Sequence, residues 1–339
     1  MSRPVTNLSA VIISRTDSIG DVMLTLPMAG IIKKQYPNCR VVFLGRSYTK
    51  AICNCCEHID AFLNWDEIKG MSETDAVAFF KAQHADAIVH VFPDKAIARL
   101  ASNAKIPQRI GTSHRLYHWW TCNRLINFTR KNSKEHEAQL NLKLLPGIGL
   151  EVQPSCAEIN LFTGFTRLPA LPTAFSKLVD SDKFNLVLHP RSKGSAREWG
   201  LENFSRLVSL LPPDRFKVFV SGTREEGESM RTFIESHPIV TDLTGKLTLE
   251  EFIAFLAATQ GIVAASTGPL HVASALGKKA IGIYAPMVPI HPGRWAPIGV
   301  HAEYLVKNVS CTDCVRSGDC HCIREITPEA VLARLMLPA

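Results

Sequence analysis

The apolar positions of this chain alternate between two patterns. Short runs rich in β-branched residues, Val11–Ser14, Val41–Leu44, Ala87–Val91 and Arg109–Gly111, read as strands. Between them apolar residues recur at helical spacing: Val22, Leu24, Leu26, Ile31 and Ile32 within Gly20–Tyr36, then around Asp75–His84 and Ala96–Ala104. Pro27 is expected to kink the first helix or to mark a turn boundary. The periodicity lapses over Leu161–Pro172, where Gly164, Pro169 and Pro172 gather, and an interdomain linker is expected there. The alternation then restarts with strands at Leu186–His189, Phe216–Ser221, Gly261–Ala265 and Ala280–Tyr284. Helices are expected at Leu201–Leu211, Glu225–His237, Leu249–Ala258 and Pro269–Leu276, and last at Thr327–Leu335, where Thr327 and Pro328 suit the cap and first turn.

Strands alternating with helices in two blocks imply an α/β chain with two Rossmann-like domains of parallel βαβ units. The expected boundaries are 1–165 and 173–326, followed by a C-terminal helix over 327–339. Ligands of such sheets bind beyond the carboxyl ends of the strands, so the site is expected in a cleft between the domains.

Length and composition agree with this picture. A chain of 339 residues exceeds the size at which one core keeps growing, and its 46% hydrophobic, 20% charged composition is that of an ordinary globular protein. The longest apolar runs, Gly261–Ala265 and Ala280–Ile283, suit buried strands and are too short to span a membrane. Arg15 and Asp17 interrupt the first apolar stretch at once, so no secretion signal is read and a cytoplasmic location is expected. Residues 1–170 carry 20 Lys/Arg against 14 Asp/Glu, whereas residues 171–339 carry 18 against 17. The positive excess therefore sits in the first half, which suits either an anionic partner or a basic solvated face.

Three segments carry the candidate chemistry. Arg15–Pro27 follows the first strand; Gly20 is expected to permit a close strand-to-helix turn, and Asp17 and Asp21 to lie on its rim. The plain alternative is that Asp17 or Ser18 caps the helix and Asp21 complements its dipole. His189–Trp199 follows another strand and sets Arg191, Lys193 and Arg197 around Gly194 and Ser195, a mobile basic loop suited to a pyrophosphate leaving group. Ala265–Gly277 places Thr267, Gly268 and Pro269 at the start of a helix whose amides would hold a phosphate, with His271 in its first turn. The glycine fingerprint of dinucleotide enzymes, G-x-G-x-x-G, is absent from the first turn.

In this order the three segments resemble glycosyltransferase family 9, which contains the lipopolysaccharide heptosyltransferases. The shared motifs are S-I-G-D-V-x-x-x-L-P, H-P followed by R-x-W, and T-G-P-L-H-V-A-S-A-L-G, and the Cys-rich stretch before I-T-P-E-A-V is also similar. The resemblance implies the GT-B fold and inverting, metal-independent transfer from a nucleotide-sugar donor of the ADP-heptose kind. It implies a lipid-linked or phosphorylated saccharide as acceptor, with contact at the cytoplasmic face of the inner membrane and no nucleic-acid partner. By the same resemblance Asp21 is the general base and Arg197 neutralises the donor pyrophosphate, while Thr267, Gly268, Leu270 and His271 form the donor phosphate loop. His189, Arg191, Ser192, Lys193, Thr223, Thr244, Ser266 and Pro269 are also assigned to the donor, and Asp17, Ser18, Gly20, Arg109, His114 and Arg115 to the acceptor. Two positions depart from the family pattern: Ser266 stands where Asp is usual, and Asp17 where Ser is usual.

The basic, aromatic segment Arg109–Lys134 suits an acceptor or membrane-facing surface. Cys311, Cys314, Cys320 and Cys322 supply enough ligands for a structural zinc, although ordinary thiols are the default and the proposed chemistry asks for no metal. Asp180-Ser181-Asp182 reads as a loop rather than a metal motif. A sugar-nucleotide epimerase and a non-catalytic saccharide-binding protein remain as alternatives.

Overall fold

The structure is a computed structural model and describes residues 8–131, 133–288, 290–309 and 320–337. The chain divides into two compact units, Met1–Arg167 and Leu168–Ala339, and the division falls within the segment Leu161–Pro172.

The first unit is a six-stranded parallel sheet. Its strands are β1 (Ala10–Ser14), β2 (Arg40–Gly45), β3 (Ala61–Asn64), β4 (Ala87–His90), β5 (Gln108–Thr112) and β6 (Arg124–Ile126), in the order β3-β2-β1-β4-β5-β6. The second unit repeats the plan with β7 (Phe184–His189), β8 (Phe216–Val220), β9 (Val240–Asp242), β10 (Gly261–Ala265), β11 (Lys279–Tyr284) and β12 (Ala302–Val306), in the order β12-β11-β10-β7-β8-β9. Both are the doubly wound order of a Rossmann sheet, whose direction reverses between its first and fourth strands. Those switch points are β1/β4 and β7/β10, paired from Val11↔Ala87 to Ser14↔His90 and from Gly261↔Leu186 to Ala264↔His189.

Parallel sheets covered by helices on both faces need strands apolar on both faces, which explains why β1, β10 and β11 are buried along their whole length. Each unit closes its own core. In the first, Ile12, Val42, Phe80, Ile88 and Ile97 pack together. In the second, Leu188, Trp199, Phe204, Val263 and Ile281 do so, joined by Val331 and Leu335 of the C-terminal helix Pro328–Met336. The helix Leu201–Leu210 shows how the sequence drives this packing. It buries Phe204, Leu207 and Val208, a spacing of three and four residues that aligns them on one face.

Two expected helices prove to be pairs. Gly20–Tyr36 divides into Ile19–Met23 and Leu26–Gln35, so the break precedes Pro27 and the proline sits in the first turn of the second helix. The junction is held from outside: the Asn141 side-chain amide donates to the Leu24 carbonyl at 3.0 Å, and Thr25 Oγ1 donates to the Asp21 carbonyl at 2.8 Å. Glu225–His237 divides into Arg224–Ser229 and Arg231–Glu235 at Met230, which is fully buried in the core. Among the described residues no helix is long and apolar enough to cross a membrane.

Candidate functional site

The segments after β1, β7 and β10 emerge at the switch points of the two sheets, and these are the three segments singled out by sequence. After β1 the backbone turns through Arg15–Ser18 and enters the helix Ile19–Met23, with Ser18 as its cap. Gly20 lies inside the first turn of that helix with no left-handed backbone, so it does not make the strand-to-helix turn as expected.

Arg15 organises this rim. Its buried guanidinium donates from Nε to Asp17 Oδ1 at 2.7 Å, from Nη2 to Asp21 Oδ1, and from Nη1 to Glu137 Oε1 at 3.1 Å and Asn141 Oδ1 at 2.9 Å. Arg130 closes the far side, donating to the same Glu137 and Asn141 oxygens at 3.0 and 2.9 Å. Ser18 Oγ donates to Asp21 Oδ2 at 2.5 Å, and the Tyr48 hydroxyl donates to the Asp17 carbonyl at 2.6 Å. Three carboxylates thus share two guanidinium groups. Burial alone would weaken the Arg15 charge, but Asp21, Asp17 and Glu137 hold it firmly protonated. Burial pushes the Asp17 carboxyl up to about 6 against the pull of Arg15, and the neighbouring Asp21 adds to the rise.

Sequence reading named Asp17, Ser18, Gly20 and Asp21, opened its first motif at Arg15 and counted Arg130 in the basic segment without giving either a role at this rim, and missed Tyr48, Glu137 and Asn141. The signal available for Glu137 was faint, an acidic residue opening the apolar helix Glu137–Leu142. A buried carboxylate there requires cationic partners; Arg130 is near in sequence, but Arg15, the one that ties it to this rim, lies 122 positions away.

The other acceptor assignments scatter. Arg109 lies near the amino end of β5, and its guanidinium donates to the Thr121 and Ile106 carbonyls at 2.7 and 2.6 Å. Through these two bonds it pins neighbouring loops. His114 and Arg115 are exposed in the loop beyond the carboxyl end of β5. Behind that loop, His90 ends β4 fully buried, and burial, with His118 and Arg109 nearby, pushes its ring down to about 3. His90 is therefore a neutral group at neutral pH.

In the second unit the basic loop after β7 is built rather than loose. Lys193 and Gly194 adopt left-handed backbone at φ 48° and 79°, and the Ser195 amide donates to the Ser192 carbonyl at 3.0 Å, closing a tight turn. Glu198 anchors its base, accepting from Arg191 Nη1 at 2.9 Å and from the Ser192 amide at 2.9 Å. Trp199 is buried, and its indole N–H donates to the Ile326 carbonyl at 2.8 Å. Lys193 is left exposed at the tip and Arg197 half-buried on the returning arm.

Several residues assigned to the donor are engaged within the unit itself. His189 is buried with Nδ1 3.0 Å from Ser221 Oγ, and burial lowers its pKa, so it supports the loop from behind. The Ser192 hydroxyl donates to the Ala196 carbonyl at 2.9 Å and is buried within the turn. Thr223 caps the helix Arg224–Ser229 in a reciprocal pair with Glu226. The Thr244 hydroxyl donates to Asp242 Oδ1 at 2.7 Å. The Leu270 side chain is fully buried against β11, where a Cβ at Gly282 would lie 2.9 Å from it.

After β10, Ser266 and Thr267 lead into the helix Gly268–Ala275, with Pro269 in its first turn. Thr267 makes no side-chain cap; its hydroxyl is turned back 3.3 Å from the Ala265 carbonyl. Pro269 has no N–H and the Leu270 amide donates to the Thr267 carbonyl at 3.2 Å, so the Gly268 amide is the opening helical donor left without an intrahelical acceptor and available to an anion. His271 is buried one turn in, and the Tyr284 hydroxyl on β11 donates to the Trp295 carbonyl.

Of the four C-terminal cysteines, Cys311 and Cys314 lie outside the described residues. Cys320 is buried in the core of the second unit and Cys322 packs against it. Asp180–Asp182 forms a local turn, the Asp182 amide donating to Asp180 Oδ1 at 3.0 Å. Among the described residues no three His, Cys, Asp or Glu side chains are grouped to hold a metal.

Comparison with known proteins identifies relatives across both units. The profile of glycosyltransferase family 9 (heptosyltransferase) matches residues 81–322. A Haemophilus influenzae protein carrying a provisional glycosyltransferase name is 26% identical over 304 residues, 86% of each chain. Lipooligosaccharide heptosyltransferase 2 of the same organism is 22% identical over 94% of this chain and 95% of its own. Among solved structures, the Escherichia coli ADP-heptose lipopolysaccharide heptosyltransferase II superposes with a TM-score of 0.75 at 16% identity, covering 96% of this chain and 97% of that one.

Proposed function

The chain belongs to glycosyltransferase family 9, and from that membership we propose that it moves heptose or a related sugar from a nucleotide donor to a saccharide of the lipopolysaccharide core, with inversion and without metal. The Escherichia coli protein is named for ADP-heptose and lipopolysaccharide and the second Haemophilus influenzae protein for heptose and lipooligosaccharide; the same donor and acceptor classes are proposed for this chain, working at the cytoplasmic face of the inner membrane.

The observation that carries the reading is the pair of rims at the switch points. The rim after β1 is rich in carboxylates, and the rim after β7 and β10 is cationic with an uncapped helix start. In the proposed mechanism Asp21 accepts the proton of an acceptor hydroxyl. Arg15 and Ser18 orient its two oxygens and keep it aimed. The freed oxygen attacks the anomeric carbon from the side opposite the nucleotide, so configuration inverts. Arg197 and Lys193, with the backbone amides of Thr267 and Gly268, stabilise the departing diphosphate as its charge develops. Arg191 is tied to Glu198 and shapes the loop.

A specific observation favours Asp17 as an alternative base. Its pKa of about 6 makes it a better proton acceptor near neutrality than an ordinary carboxylate. Ser266, in the turn after β10, is a position at which this chain departs from the family pattern, and it is proposed to face the donor sugar.

Incubating the protein with ADP-heptose, with and without a lipopolysaccharide core acceptor, tests the reading. Release of ADP that depends on the acceptor is expected. A rearranged sugar nucleotide formed from donor alone would mean an epimerase instead, and binding of acceptor without donor consumption a saccharide-binding protein.

A further inference from the structure

We infer that residues 112–120 of the first unit, centred on Leu116, Trp119 and Trp120, form a docking surface for an anionic lipid bilayer. The choice of a bilayer as occupant rests on the lipid-linked acceptor proposed above.

These three side chains are 74%, 62% and 64% exposed, three large apolar groups within five residues. Isolated exposed apolar residues are common, but a contiguous group on a fixed scaffold marks an interaction surface. The scaffold here is fixed. His118 is buried over Gly111, where a Cβ would lie 2.6 Å from its ring, and its Nδ1 is 2.9 Å from the Thr112 carbonyl. Thr121 Oγ1 donates to the Tyr117 carbonyl at 2.7 Å. Trp119 donates its indole N–H inward to the Ser113 carbonyl at 3.0 Å, so the polar edge of the ring is satisfied while the ring itself stays largely exposed. Neither packing within the unit nor hydrogen bonding accounts for the exposure of Leu116 and Trp120.

Charge identifies the occupant. From Lys95 to Lys134 the chain holds nine Lys/Arg and no Asp or Glu in 40 residues. Arg115, beside Leu116, is exposed. The acids that bound this run are both engaged: Asp94 turns its carboxylate onto the Ala96 and Ile97 amides at 2.8 and 3.0 Å, capping the helix Lys95–Asn103, and Glu135 pairs with Lys143. Exposed Trp set among cations is the chemistry of the bilayer interface, where the rings enter the headgroup layer and the cations meet anionic lipid. The segment begins at the carboxyl end of β5, on the same edge of the same sheet as the Arg15–Asp21 rim. Docking there holds that rim at the surface to which a lipid-linked saccharide is confined.

Flotation of the full chain with vesicles of phosphatidylcholine, alone or mixed with phosphatidylglycerol, tests the inference. The wild-type chain is expected to float with the mixed vesicles, more weakly as salt rises, and far less with phosphatidylcholine alone. The double variant Leu116→Ser, Trp120→Ala removes side chains with no structural bond. It is expected to lose about tenfold or more in partitioning, with unchanged melting temperature and unchanged thermal stabilisation by ADP. Equal flotation of variant and wild type, or no preference for phosphatidylglycerol, would overturn the inference. So would retention by an RNA oligonucleotide without flotation. Flotation without any sugar transfer would sink the proposed activity and leave this surface standing; transfer without flotation would do the reverse.

Discussion

Asp17 shows how much of the site lies in single ionisable groups. Its carboxyl is pushed up to about 6, above the ordinary range near 4, because burial and Asp21 outweigh Arg15. A group whose pKa is higher folded than unfolded binds protons more tightly in the fold. Ionised Asp17 therefore costs stability above pH 6, and the cost is relieved as pH falls from 6 toward 4. Asp17→Asn removes this dependence. In urea denaturation of both proteins, the variant is expected to gain on the wild type by roughly 2 kcal/mol on going from pH 4 to pH 7. An identical difference at both pH values would contradict the assignment. This group was only half legible in the sequence. Asp17 and Asp21 stand out beside a strand end, but the Asp17 pKa depends on burial and on Arg15, and Arg15 is also held by Glu137, far along the chain in a different helix.

At the scale of elements, two glycines separate steric from backbone constraint. Gly227 lies within the helix Arg224–Ser229, where Ala would ordinarily stabilise by about 1 kcal/mol. A Cβ there would meet Thr244 Oγ1 at 2.1 Å and its Cβ at 2.6 Å, and Thr244 is buried and tied to Asp242. The clash wins: Gly227→Ala is expected to lower stability by about 1–2 kcal/mol in chemical denaturation. At Gly194 nothing lies within 4 Å, and only the left-handed backbone at φ 79° resists substitution. Elements were legible where burial is two-sided. Central strands such as β1, β7, β10 and β11 give unbroken apolar runs. The edge strands β3, β6, β9 and β12 pair on one side only, are partly exposed and mix polar residues such as Asn64, Arg124, Asp242 and Glu303, so no apolar run announces them.

For the whole molecule, the two-unit α/β plan was written in the alternation of strand and helix signals, and the three motifs mark where each sheet reverses. Side-chain roles were less legible than positions. His189, Thr223, Thr244 and Leu270 stand at strand or helix ends beside the proposed donor loop, yet each turns its side chain into the unit's own framework. Sequence position reports which rim a residue joins, whereas packing decides which way it faces. The proposed transfer assigns the diphosphate charge to Arg197, Lys193 and backbone amides rather than to a metal ion, so treatment with EDTA is expected to leave turnover unchanged. Loss of turnover that added zinc or iron restores would contradict metal-free transfer. The most direct test of the central claim combines two readings on one variant. Asp21→Asn is expected to bind ADP-heptose within about twofold of wild type by calorimetry while turnover falls by roughly 10²–10⁴-fold. Turnover within a fewfold of wild type in that variant would contradict the claim that this carboxylate activates the acceptor.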